Sequence, residues 1–355
     1  SRKMFLDIAC FFNREAKFKV MNILKVCGLH PTIGIQVLIE KSLLGILESN
    51  LGSRRIAKDH DGDMQDFLKM LRRDIFFSAN VYDMFLDDSK EYLYMHDLLQ
   101  DMGRHIVLQE SPGDASRRSR LWSIEDIDQV LKGDRGTENI ESIWLDIRQE
   151  FEAKWHPDCF SKMRNLRVLN LSMVHLLHNL NSLPSALKFL SWDHYALESL
   201  PSFDQLYELE CLQLCKSKIR KLWNGAPFLG KLRIIDLSHS DCLIETPDFS
   251  ATPNLEELVL TFCTNLVCIH ESLGLLKKLV KLRLDDCDNL VTLPSYLETD
   301  NLEEFILAGC LKLEKLPEFG RNMTSLYFLS VRSTEINDIP LSIIHLIKSQ
   351  IFRCD

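Results

Sequence analysis

The chain has 355 residues, 46% of them hydrophobic and 26% charged, which is enough for two or three cores of about 100–200 residues each. Acidic residues outnumber basic ones by 51 to 42, a net charge of -9, and this argues against holding nucleic acid or an anionic membrane by charge. No run approaches the roughly 20 apolar residues of a membrane span.

"KMFLDIACFF" (Lys3–Phe12) is apolar apart from Asp7 and predicts a buried helix. Because the chain opens inside this apolar run, it reads as part of something longer, and its start says nothing about targeting. "KFKVMNILKVCG" sets Phe18, Met21, Ile23, Leu24 and Val26 near helical spacing and stops at Gly28. A third helix starts with Pro31 at its first turn and turns Ile35, Leu38 and Ile39 to one face. "LLGIL" and "EYLYMHD" predict two strands of a hairpin, separated by an atypical insert at about 45–91 with a short helix near Asp63–Arg73. "DLLQDMGRHIVLQES" predicts a helix with Leu98, Leu99, Met102, Ile106 and Val107 as its apolar stripe and Asp97 as its N-cap. Ser123, with Asp126 three on, opens another helix in a capping-box pattern that ends at Gly133. Three helices, a hairpin and a further helix suggest a winged-helix module over 1–135. Its third helix, Pro31–Ser42, carries only Glu40 and Lys41 as charges, which argues against DNA.

The rest of the chain, 136–355, repeats itself. The pattern L-x-x-L-x-L begins at Leu166, Leu187, Leu209, Leu232, Leu255, Leu279, Leu302 and Leu326, at spacings of 21 to 24 residues. "IESIWL" from Ile140 reads as a degenerate first unit. Eight to nine such units form a leucine-rich-repeat solenoid, because one unit cannot bury its own leucines and stacked units can. Proline in "LESLP", "LVTLP" and "LEKLP" ends a turn of the solenoid. With no polar capping unit before Asp355, the solenoid is expected to continue. The fold class is therefore an α+β winged-helix domain followed by an α/β leucine-rich-repeat solenoid.

Eleven cysteines, none in a CxxC pair, make a metal site a poor reading and reduced thiols the better one. Cys263, Cys287 and Cys310 each fall eight residues after a unit's first leucine, where a stacked structural thiol is expected. The strand residues between the leucines point outward. One column runs Val168, Phe189, Cys211, Ile234, Glu257, Lys281, Glu304, Phe328; the next runs Asn170, Ser191, Gln213, Asp236, Val259, Arg283, Ile306, Ser330. Phe189, Gln213, Asp236, Glu257, Lys281, Arg283, Glu304 and Phe328 are the candidates for a concave recognition face. The alternating signs of Glu257, Lys281 and Glu304 read equally as cross-strand pairing.

"GAPFLGKL" (Gly225–Leu232) nearly spells a phosphate loop but ends on Leu232, where a hydroxyl is required and where the repeat needs a buried leucine. No serine-hydrolase, zincin or dinucleotide motif occurs. What remains is "MHDLLQDMG". On the residues alone His96 can be a helix-start residue, an acid–base group, a metal ligand or a nucleotide sensor.

"FLDIACFF", "LIEKSLL", "MHDLLQDMGRHIVLQESP", "RSRLW" and "EDIDQVLKGDRGTENIESIWLDI" occur in that order. Together they resemble plant nucleotide-binding leucine-rich-repeat (NB-ARC-LRR) immune receptors of the class with an N-terminal Toll/interleukin-1-receptor-like (TIR) domain. The resemblance covers nearly the whole chain. It implies that the first half is the winged-helix, C-terminal part of the nucleotide-binding module, and that the repeats recognise an effector and restrain activation. It also implies that Met95, His96 and Asp97 form the MHD motif. His96 would contact the β-phosphate of ADP at rest and Asp97 would hold the turn.

ADP or ATP would be the cofactor of the longer receptor. No tight nucleotide binding is expected of this chain, since the phosphate loop and the TIR domain would precede Ser1. Any NAD-cleaving activity would belong to that TIR domain, and the chain itself is expected not to be an enzyme. The implied partners are a pathogen effector or guarded host protein on the repeats and intramolecular NB-ARC contacts. Neither DNA nor membrane is expected, and oligomers only in the activated receptor. The expected location is the cytoplasm, with the nucleus second. The alternative is a repeat adaptor, for example a ubiquitin-ligase substrate receptor, which leaves MHD and "RSRLW" unexplained.

The family joins the hairpin strands by a short turn, so the insert reads as an exposed loop without function, or as a gene-model artefact. Deleting Gly52–Ser89 is expected to leave the melting temperature within a few degrees by calorimetry; a large drop would show that the segment packs on the core.

Overall fold

The computed structural model describes residues 2–48, 91–223, 225, 227–346 and 351–353. The chain divides into two compact units, Ser1–Arg104 and His105–Asp355, so residues 105–135, expected with the winged helix, group with the repeats. Among the described residues no helix is long and apolar enough to cross a membrane.

The first unit begins with α1 (Arg2–Asp7), which runs into a π-helical turn, Ile8–Phe12. The helices α2 (Lys17–Val26) and α3 (Pro31–Glu40) follow, then β1 (Gly45–Glu48), β2 (Glu91–Tyr94) and α4 (Asp97–Glu110). Pro31 opens α3, where its missing N–H costs nothing. Gly28 closes α2 in the left-handed region at φ 73°, where glycine carries no steric cost. Met4, Phe5, Leu6, Ile8, Phe12, Val20, Leu24, Ile35, Leu38, Leu93 and Met95 are buried. Phe18, expected inward, is exposed, and Val20 takes the buried place.

β1 and β2 pair antiparallel from Gly45↔Tyr94 to Glu48↔Glu91. The other edge of β2 is covered by residues 14–16: Arg14 N–H donates to Leu93 O at 2.8 Å, Leu93 N–H to Glu15 O at 2.9 Å, and Ala16 bridges Tyr92. The insert between the two strands, residues 49–90 with the helix expected at 63–73, lies outside the described residues.

The stripe expected along α4 is corrected. Leu98 and Met102 are exposed at 73% and 44%; Val107 is buried as expected, and Gly103 is buried where no apolar residue was expected. The glycine explains the change. A Cβ on Gly103 would sit 2.4 Å from Ala9 Cβ and 3.4 Å from the Phe5 ring, so α4 seats on the first helix through its bare Cα.

In the second unit α5 (Ile124–Lys132) is N-capped as expected, with Asp126 N–H donating to Ser123 Oγ. An 11-stranded sheet follows, and every pairing in it is parallel. Its strands are β3 (Arg120–Leu121), β4 (Ser142–Ala153), β5 (Val168–Leu176), β6 (Phe189–Asp193), β7 (Cys211–Gln213), β8 (Ile234–Asp236), β9 (Glu257–Val259), β10 (Lys281–Arg283), β12 (Glu304–Ile306), β14 (Phe328–Ser330) and β15 (Ile351–Arg353). β11 (Tyr296–Leu297) and β13 (Glu318–Phe319) pair separately. "RSRLW" supplies β3, the edge strand, which the repeat pattern does not reveal. The eight unit-opening leucines are at most 1% exposed. Burying each is worth about 1.5–3 kcal/mol.

One turn recurs in each unit, within β5 and after the later strands. Met173, His194, Lys216, His239, Phe262, Asp286, Gly309 and Ser333, each seven residues past its unit's first leucine, all have positive φ. Only one of them is glycine, so each other unit carries about 1–3 kcal/mol of local strain. Hydrogen bonds offset it. The N–H of His194 donates to Cys215 O, Lys216 to Ser238 O, His239 to Thr261 O, Phe262 to Asp285 O, Asp286 to Ala308 O and Gly309 to Arg332 O, all at 2.7–2.9 Å.

In four successive units the next residue ties the unit to the one before. Ser240 Oγ donates to Leu214 O at 2.9 Å, Cys263 Sγ to Leu237 O at 3.2 Å, Cys287 Sγ to Leu260 O at 3.1 Å and Cys310 Sγ to Leu284 O at 3.0 Å. The three cysteines are fully buried, as the stacked-thiol reading expects. Burial pushes the Cys263 and Cys310 thiols up to about 12 and Cys287 well above its ordinary value near 9.

Three outcomes follow from this packing. Since Ser240 already does the work of its cysteine neighbours, Cys287→Ser is expected to stay within about 1 kcal/mol of the parent in urea melts, and Cys287→Ala to lose about 1–3 kcal/mol by stranding Leu260 O. Raised thiol pKa values favour the protonated, folded form. Their contribution is complete below pH 9 and lost as pH climbs toward 12, so unfolding free energy should fall across that window and less steeply in Cys287→Ser. Gly103→Ala should lower the melting temperature by several degrees, since a helix must move to admit the methyl group; an unchanged melt would deny the close seat of α4.

Candidate functional site

His96 stands where β2 gives way to α4. The ring is exposed, and its Nδ1 accepts the Leu98 N–H at 3.2 Å, while His96 O accepts from Leu99 N–H at 2.8 Å and Gln100 N–H at 3.0 Å. His96 is therefore the N-cap of α4, and Asp97, expected in that role, is instead its first helical residue. A side-chain acceptor on the second helical N–H is what a cap supplies, and an imidazole nitrogen does it as an Asp or Ser oxygen would. An accepting Nδ1 carries no hydrogen, so the neutral ring keeps its hydrogen on Nε2, free to donate. Asp97 lies 3.9 Å from Arg14 Nη2 across an exposed gap, a weak pairing, and its charge suits the helix N-terminus. Met95 is fully buried and anchors the turn from below. The three MHD residues thus divide into a buried anchor, an exposed capping ring and an exposed acid.

The repeat strands present the second candidate surface. Glu257, Lys281, Glu304 and Phe328 lie in register on neighbouring strands, as do Gln213, Asp236, Val259, Arg283, Ile306 and Ser330. Its two ends differ. Phe189 is 3% exposed and stacks on Trp144 at 6.1 Å, and Val168 and Cys211 are equally covered. Gln213, Asp236, Glu257, Lys281 and Phe328 are half-buried. Lys281 Nζ reaches Glu257 Oε1 at 3.9 Å, but Glu304 does not complete the alternation. Glu304 is buried, accepts from Tyr327 OH at 2.6 Å and lies 3.8 Å from Arg283, itself buried.

Two residues further, past the strand ends, Ser238, Thr261 and Asp285 form a buried row, with Thr261 Oγ1 donating to Asp285 Oδ1 at 3.1 Å. Burial holds the carboxyls of Asp285 and Glu257 above the ordinary range, with nearby Lys281 and Arg283 opposing. Beside it His239 stacks on Phe262 at 4.7 Å, and burial followed by Lys216 lowers the His239 pKa. Among the described residues no cluster of His, Cys, Asp and Glu suits a metal ion. The near phosphate loop fails in space as in sequence, since Leu232 is wholly buried.

"RSRLW" acquires a role here. Arg118, 6% exposed, donates Nη1 to Asp126 Oδ2 at 2.6 Å, Nε to Ser111 O at 3.0 Å and Nη2 to Pro112 O at 3.2 Å. Ser119 N–H and Oγ donate to the Glu110 carboxylate at 2.6 and 2.9 Å. The C-terminal end of α4 is thus pinned to the segment that opens the repeats.

A family model described as the winged-helix domain of Roq1-like disease resistance proteins matches residues 1–61. TMV resistance protein N of Nicotiana glutinosa is 33% identical over 343 residues, 96% of this chain and 26% of its own length. Disease resistance protein RPP2A of Arabidopsis thaliana is 32% identical over 97% of this chain and 23% of its own length. RUN1 of Vitis rotundifolia is 32% identical over 78% and 20%. The chain therefore spans about a quarter of the length of the curated relatives it matches. Among solved structures, the leucine-rich-repeat domain of the type III effector XCV3220 (XopL) aligns at 16% identity and TM-score 0.38, over 78% of this chain and 98% of that one. The chain carries a Roq1-like winged-helix domain followed by leucine-rich repeats, and over most of its length it is homologous to part of the plant TIR-type nucleotide-binding leucine-rich-repeat disease resistance proteins.

Proposed function

We propose that the chain is the sensing and restraining part of a plant immune receptor and has no catalytic activity of its own. Met95, His96 and Asp97 report the nucleotide state, and the repeats recognise a pathogen effector or a guarded host protein. The observation that supports this most is the capped ring of His96: exposed, Nδ1 occupied, Nε2–H left to donate. That is the form in which a neutral imidazole gives a hydrogen bond to a phosphate oxygen. Bound ADP would supply the anionic acceptor. The chain's own part is to hold the donor at the head of a rigid helix. A hydrogen bond to a charged group is worth about 1.5–3 kcal/mol, enough to bias a two-state switch 10-fold or more toward the resting form. On the repeats, the half-buried charged columns around Asp236, Glu257 and Lys281 suit selective recognition, since a wrong partner would leave them unpaired. We place the receptor in the cytoplasm.

In a receptor in which this chain follows its nucleotide-binding and TIR segments, His96→Val is expected to trigger defence signalling without effector; a folded, expressed receptor that stays silent would refute the sensing role. The 355-residue chain alone should bind ADP only weakly, because His96 is one contact. Sub-micromolar affinity by calorimetry would contradict that.

A further inference from the structure

Met95 leaves β2 just beyond the ladder, whose last pair with β1 is Gly45↔Tyr94. A buried backbone N–H and C=O left without partners would each cost about 1–3 kcal/mol. Asn13 supplies both. Its Oδ1 accepts the Met95 N–H at 2.8 Å, and its Nδ2 donates to Met95 O at 3.1 Å. The same amide donates to Gln100 Oε1 at 2.9 Å, on the first turn of α4. One side chain, 82 residues away along the sequence, pairs with Met95 as a neighbouring strand would and reaches past His96 to the helix beyond. Local backbone geometry puts it there. The π-helical turn ends at Asn13, which adopts an extended conformation (φ -68°, ψ 129°), and Arg14 then turns at φ 68° so that residues 14–16 run along β2.

We infer that Asn13 is the positioning residue of the His96 turn. It clamps the residue before His96 and the residue four after it, and so fixes the ring where Nδ1 meets the Leu98 N–H and Nε2–H is presented outward. Its value for function rests on the reading of His96 as the nucleotide contact. Under that reading Asn13 sets the resting position of the switch without touching nucleotide.

The test uses the 355-residue chain, labelled with ¹⁵N. Imidazole ¹⁵N shifts report the His96 tautomer, and hydrogen exchange reports the amides of Leu98, Leu99 and Gln100. The wild-type chain should show a fixed Nε2–H tautomer. In Asn13→Ala the His96 shifts should move toward a tautomer average and the three amides should exchange about 10-fold faster or more, with Ile127 and Leu258 unchanged as controls in the second unit. Asn13→Asp keeps an acceptor for Met95 N–H but no donors, and should fall between. A folded Asn13→Ala chain with the wild-type His96 spectrum and exchange overturns the inference. If Asn13→Ala does not fold, Gln100→Leu removes only the outer contact and is read the same way: a shifted His96 spectrum supports the clamp and an unchanged one overturns it. Failure of the switch reading would appear elsewhere, as signalling indifferent to His96→Val with these spectra still as expected.

Discussion

No unit of the solenoid closes its own hydrogen bonds, and that constraint shapes the rest of the second domain. Seven residues past a unit's first leucine the backbone is held at positive φ, from His194 to Gly309 that residue's N–H reaches the next unit, and in four of these units the residue after it sends a thiol or hydroxyl back to the unit before. Asparagine amides add further links, from Asn265 to Asp241 O, Asn289 to Thr264 O and Asn301 to Lys277 O. The leucines provide most of the free energy by leaving water. The hydrogen bonds decide the geometry, since a buried carbonyl must be paired wherever it falls. Uniform spacing then places side chains from successive units in straight columns, as a consequence of how the core is closed.

The winged helix meets the same demand without a repeat to help it. Where β2 ends, Met95 has no strand beside it, and a side-chain amide takes the strand's place. The His96 ring then satisfies the second helical N–H of α4, that of Leu98. Backbone satisfaction therefore fixes the orientation of an exposed, chemically versatile side chain. At the far end of the same helix, Glu110 and Arg118 tie it to the chain that leads into the repeats.

Much of this was legible in the residues. The leucine period located the eight sheet strands β5 to β10, β12 and β14, because a buried stack tolerates few other residues at those points, but not β11, β13 or β15. The stacked cysteines were readable for the same reason. The two predicted columns were correct in register but not in exposure: Phe189, Arg283 and Glu304 are buried, through a stack on Trp144 and an ion pair with its tyrosine partner that depend on diagonal neighbours. The start of α4 was one residue off, since spacing cannot distinguish a histidine that caps from an aspartate that could. Its buried face was misread because glycine carries no apolar signal, although the absence of a side chain is what lets α4 approach Ala9. Asn13 and Arg118 escaped notice altogether. Most of their contacts are with backbone atoms, and for Asn13 the Met95 partner lies 82 residues away, which no local pattern encodes.

The central claim is that His96 holds the resting nucleotide through a bond made in one state only. Dissociation rates of ADP and ATP from the receptor that carries this chain test it most directly, with the wild type compared with His96→Ala. The account predicts that ADP leaves about 10-fold faster or more from His96→Ala while ATP release is little changed, a difference of roughly 1.4 kcal/mol or greater between the two states. Equal acceleration of both nucleotides, or none of either, would contradict it.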